Sequence, residues 1–86
     1  MVDGLIPATN IQPEHIRMAR AGIKLSIRQL AELANMNKAT IVRIEAGLPT
    51  RDKTLTTVRQ ILEDHGAKFW ISTTTNKVLI SVDSIN

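Results

Sequence analysis

Cysteine and tyrosine are absent from this chain of 86 residues, and phenylalanine and tryptophan occur once each. Without cysteine there is no disulfide framework, no thiol nucleophile and no cysteine-based zinc site. No stretch approaches the roughly 20 apolar residues of a membrane helix. Met1 to Asn10 lacks the basic end and apolar run of a secretion signal. The expectation is one soluble cytoplasmic domain with no membrane segment. A chain this short buries only roughly 60% of the surface its unfolded form exposes, so its core is thin and a second copy would help it.

Negative charge is scarce in the middle of the chain. Between Arg17 and Arg59 there are nine bases (Arg17, Arg20, Lys24, Arg28, Lys38, Arg43, Arg51, Lys53 and Arg59) against Glu32, Glu45 and Asp52, a balance of +6 within an overall +3. The flanks are mildly acidic, with Asp3 and Glu14 before this stretch and Glu63, Asp64 and Asp83 against Lys68 and Lys77 after it. Such a distribution fits one positive face for a polyanion, or equally an ordinary solvated surface. Spacing has to separate the two.

Turn and cap residues divide the chain into short elements. Pro13 suits the first helical position and Gly22 a helix stop, giving a first helix over Pro13 to Ala21 with Ile16, Ala19 and Ile23 inward. Ser26 and Gln29 form a capping-box pattern, so a second helix starts at Ile27 and buries Leu30, Ala31 and Ala34. Asn35 tolerates the left-handed backbone of an abrupt helix end, and Asn37 can cap a third helix, Lys38 to Ala46, with Ile41 and Ile44 inward and Gly47 as its stop. After a loop over Leu48 to Lys53, Thr54 is the expected cap of a fourth helix carrying Leu55, Val58, Ile61 and Leu62, ended by Gly66. Beyond Gly66 the period changes to two, with Thr73 to Asn76 as the turn of a β-hairpin. No internal repeat or low-complexity linker is present.

Two short helices joined by a three-residue turn make a helix-turn-helix candidate. Because Ile41 and Ile44 take the inner side of the third helix, Lys38, Ala39, Val42 and Arg43 take the outer one. A positive helix N-terminus with Lys38 and Arg43 along one edge suits entry into a major groove.

The stretch LSIRQLAELANMNKATIVRIEAG, Leu25 to Gly47, resembles the helix-turn-helix of the Cro and phage-repressor superfamily, the XRE family. The resemblance extends through PEHIRMARAGIKLS upstream and TLTTVRQILEDHGAKF downstream, so it covers Pro13 to about Phe69. It implies an α+β, mainly α fold: a lambda-repressor-like four-helix DNA-binding domain over residues 13–66. An N-terminal extension, 1–12, precedes it, and a C-terminal β-hairpin, 67–86, follows as the expected dimerisation element. It also implies a transcriptional regulator that binds double-stranded DNA as a homodimer, with repression by occlusion as the simplest mechanism. By position in the motif, Lys38, Ala39 and Arg43 are the expected base contacts. Ser26, Arg28, Gln29, Asn37, Thr50, Arg51 and Lys53 are the expected phosphate contacts. Arg20 and Glu45 match a family pair that ties the first helix to the end of the third, so Arg20 is expected to be structural. The chain departs from the family where the second helix begins: Ile27 stands in place of the usual Gln, either as apolar cover or at the expense of the usual phosphate bracing. Asn35 replaces the usual Gly at small conformational cost.

No enzyme is expected. Ser26, Thr40 and Thr54 read as caps with no base near them in sequence. His15 and His65 lie in different helices without partners at ligand spacing, so no metal or cofactor is expected. In the hairpin, alternation puts Phe69, Ile71, Val78, Ile80 and Val82 on one face and Trp70 and Leu79 on the other. Trp70 and Leu79 are therefore candidate dimer-interface residues, the alternative being a hairpin packed on its own helices. A narrower reading is an antitoxin that represses its own operon and binds a toxin, with Leu5 and Ile6 as a segment that orders on the partner or simply frays. The rival from another class is a protein-binding adaptor without DNA, for which Ile27 is the best support.

Overall fold

A computed structural model describes residues 4–83 of the chain. Its elements are β1 (Leu5–Pro7), α1 (Pro13–Gly22), α2 (Ile27–Ala34), α3 (Lys38–Glu45), α4 (Asp52–Asp64), β2 (Ala67–Ser72) and β3 (Val78–Val82). The fold is α+β and mainly helical, four helices against one antiparallel sheet of order β1-β2-β3.

One core joins the two layers. Ile16 and Ala19 of α1, Leu30 and Ala31 of α2, Ile41 and Ile44 of α3, and Val58 and Leu62 of α4 meet Ala67 and Phe69 of β2. Ile16 and Ala19, Ile41 and Ile44, and Val58 and Leu62 recur at three or four, as Leu30 and Ala31 do with buried Ala34, and the strand residues recur at two, so each element contributes one face. Phe69 fills the centre of the sheet side, and the Arg59 guanidinium lies 5.1 Å from its ring centroid while pairing with Glu63 at 3.0 Å. The hairpin therefore packs on its own helices through Ala67 and Phe69. Its register sets Phe69 opposite Ile80 and Trp70 opposite Leu79. Trp70 is half-buried on the outer face, where its indole N–H donates to Ser81 Oγ at 2.9 Å.

Three local expectations change. The first concerns the N-terminal extension: Leu5, Ile6 and Pro7 pair with Ser72, Ile71 and Trp70 as a third strand, too short for alternation to reveal. Next, Gly22 is the last residue of α1 and not its stop. The helix is closed by Lys24, which takes a left-handed φ of 62°, while the Leu25 N–H reaches Arg20 O at 3.1 Å. Gly22 is needed for a different reason, because a Cβ there would sit 2.7 Å from Val82 Cγ2. Lastly, α4 begins at Asp52 with Arg51 at the N-cap, so Thr54 lies inside the helix and caps nothing. Asp52 in the first turn complements the helix dipole, an acidic signal that outweighs the hydroxyl two residues on.

Candidate nucleic-acid interface

The turn between α2 and α3 follows from two local devices. At the start of α2 the Ser26 hydroxyl accepts from the Gln29 N–H at 3.0 Å and the Gln29 side-chain oxygen accepts from the Ser26 N–H at 2.8 Å, a complete capping box. At its end Asn35 adopts φ 56°, ψ 47°, and the Met36 N–H returns to Ala31 O at 2.9 Å. The chain thereby leaves α2 and turns within three residues, and α3 starts at Lys38 with Asn37 at its N-cap. The Asn37 side chain makes no capping bond and is exposed.

α3 is held from behind. Ile41, Ile44 and Glu45 are buried, whereas Lys38, Ala39, Val42 and Arg43 are exposed. Arg20 grips Glu45 with two bonds, Nε to Oε2 at 2.6 Å and Nη2 to Oε1 at 3.0 Å, and its remaining nitrogen donates to Leu25 O at 3.0 Å. The hydrogen bond to Glu45 raises the Arg20 pKa above its ordinary value; burial opposes this and the charge of Glu45 adds to it. Arg17, one turn earlier on α1, donates to the backbone carbonyl of Glu45. That contact was not anticipated; its signal is the i, i+3 spacing of Arg17 and Arg20 on one face of α1, beside the negative end of α3.

Arg20 and Arg59 are thus paired with internal carboxylates, and Arg17, though exposed, is engaged by the Glu45 carbonyl, which sorts the central positive charge. Lys24, Arg28, Lys38, Arg43, Arg51 and Lys53 are exposed, and no ion pair among the described residues involves them. Arg28 lies on α2 beside the capping box, while Arg51 and Lys53 lie at the N-terminus of α4, whose dipole adds to their charge. Ser26 and Gln29 use one acceptor each in the capping box, leaving the hydroxyl proton and the amide NH2 free to donate outward. Thr50 differs: it is half-buried and its hydroxyl donates to Leu48 O at 3.0 Å, so its proton is already in use. Ile27, in the place of a polar residue, is partly buried against the core.

Among the described residues no cluster of three or more His, Asp or Glu side chains is arranged to hold a metal. His15 instead accepts from the Gln12 N–H at 2.7 Å at the start of α1. No helix among the described residues is long and apolar enough to cross a membrane.

A short helix anchored through its inner face and C-terminus, with basic and small apolar residues outward and a fixed turn before it, defines a helix-turn-helix DNA-binding domain. A family model described as Helix-turn-helix matches residues 16–67, more than half of the chain. The protein belongs to the XRE-type helix-turn-helix family of DNA-binding transcriptional regulators. That family is one of regulatory DNA-binding domains and not of enzymes. A search of curated proteins returns no match to the chain.

Proposed function

We propose that the protein is a cytoplasmic repressor that binds a near-palindromic operator as a homodimer and acts by occluding it. The observation that carries this reading is the outward face of α3, where Lys38, Ala39 and Arg43 are exposed on a helix whose opposite side is fixed by Ile41, Ile44 and Glu45. Arg43 and Lys38 have the donors to read guanine O6 and N7, and Ala39 lets the helix approach closely. Phosphates on either side of the groove fall to Ser26, Arg28, Gln29 and Asn37 at the start of α2 and α3, and to Arg51 and Lys53 at the start of α4. Thr50 is the weakest of the proposed phosphate contacts, because its proton is engaged by Leu48 O.

Trp70 and Leu79 form the proposed dimer contact. They sit opposite each other on the sheet face turned away from the helices, with Leu79 exposed. A two-fold dimer would present two α3 helices to half-sites about 34 Å apart. Selection of bound sequences from a random duplex pool tests the reading, since it reports sequence preference and half-site spacing together.

An antitoxin role is the narrower alternative and calls for a toxin partner. Leu5 and Ile6, its proposed docking segment, pair with β2 of their own chain. The adaptor reading is the rival from another class; Ile27, its best support, is partly buried against the core.

A further inference from the structure

We infer that two copies join edge to edge through β3, antiparallel, in the register centred on Ile80. The inference rests on the homodimer reading above and specifies its interface. The sheet has two outer strands. β1 is three residues long and ends in Pro7, which has no N–H to give, so it is a poor template for a further strand. β3, with the sequence VLISV, has neither proline nor charge within it to blunt its edge.

The backbone of β3 fixes which residues can pair outward. The Asp83 N–H donates to Gly66 O at 2.8 Å, and the Ser72 N–H donates to Lys77 O at 2.9 Å. Antiparallel hydrogen bonding alternates along a strand, so residues 77, 79, 81 and 83 turn their polar groups to β2, and Val78, Ile80 and Val82 turn theirs to the open edge. A two-fold axis at Ile80 uses all three, pairing Ile80 with its own copy and Val78 with Val82 of the partner subunit. The same register sets Lys77 opposite Asp83 of the partner subunit at both ends of the ladder, an opposite-charge cross-strand pair. A register centred on Val78 would instead set Lys77 opposite Leu79 and leave Val82 beyond the end of the pairing.

Side chains on both faces fit this edge. On the outer face the Trp70 indole donates to Ser81 of β3, and Ser81 would face Leu79 of the partner subunit, which sets the indole one residue from the joint. On the helical side Val82 is 37% exposed and abuts Gly22. Met18, Ala21 and Gly22, exposed at three- and four-residue spacing on α1, continue that apolar surface away from the strand.

Because the chain has no cysteine, single-cysteine variants carry one thiol per subunit. In a series through Val78→Cys, Leu79→Cys, Ile80→Cys, Ser81→Cys and Val82→Cys, oxidation should give disulfide dimer most readily at Ile80→Cys. There the two Cα atoms would lie about 5.5 Å apart, within disulfide reach. At the neighbouring positions the two thiols are offset by about 7 Å or more along the strands. Reversing an exposed charge gives the second arm: Lys77→Glu and Asp83→Lys should each weaken dimerisation about tenfold, and the double variant should return it to within about twofold of the unaltered chain. A dimer by light scattering with its cross-linking maximum elsewhere, or without rescue in the double variant, overturns the register and leaves the homodimer reading standing. A monomer overturns both.

Discussion

Arg20 and Glu45 are separated by 25 positions in the chain and joined by two hydrogen bonds, at 2.6 and 3.0 Å, with the carboxylate only 6% exposed. This pair ties α1 to the last turn of α3 and so sets the angle at which the outward face of α3 is presented. It explains why one of the central bases is withheld from the surface. It also makes the placing of α3 depend on a carboxylate that faces inward.

Glu45→Ala should therefore lower stability by about 2 to 3 kcal/mol in urea unfolding, because the partly buried Arg20 guanidinium is left without its counter-charge. Replacing both partners by apolar residues, as in Arg20→Met with Glu45→Leu, should cost less than the single change. A double-mutant cycle in which the two losses simply add would contradict the coupling.

At the end of α1, Lys24→Gly should stabilise the protein by about 1 kcal/mol, since a left-handed residue with a Cβ is replaced by one without. Gly22→Ala should destabilise it by about 1 kcal/mol. The clash with Val82 outweighs the better helix propensity of alanine. If Gly22 were the helix stop, Lys24→Gly would leave the melting temperature where it was.

The two classes of basic residue should separate on DNA. Arg43→Ala is expected to relax preference at one operator position by about 1 to 3 kcal/mol. Arg51→Ala is expected to weaken binding to all duplexes alike and to reduce the salt slope by about 1. Fluorescence anisotropy over a salt series with specific and scrambled duplexes measures both effects. Identical profiles for the two variants would mean that the reading face is misassigned.

Trp70→Glu should halve the molar mass seen by light scattering, as a charge placed beside Leu79 on the outer sheet face would disrupt the proposed contact between copies. An unchanged mass would remove Trp70 from the interface.

Much of this was legible in the sequence where one local rule acted alone. Ser26 with Gln29, Asn35 at the turn, and the three- and four-residue spacing of Leu30, Ala31, Ala34, Ile41 and Ile44 announce α2 and α3 without knowledge of the rest. What was missed depends on contacts distant in sequence. β1 becomes a strand only because β2 offers it an edge, and Gly22 is required by Val82, which lies sixty positions away. The charge count showed a basic middle; which bases are drawn inward follows only from Glu45, Glu63 and Phe69 taking up Arg20 and Arg59.

The central claim is that two copies of this chain read a duplex through α3, and selection from a random duplex pool tests it most directly. The account predicts an enriched near-palindrome with half-site centres about 10 to 10.5 base pairs apart, or a multiple of that spacing, lost in Arg43→Ala at one position of each half-site. Recovery of no preferred sequence, or of a motif unchanged by Arg43→Ala, would contradict it.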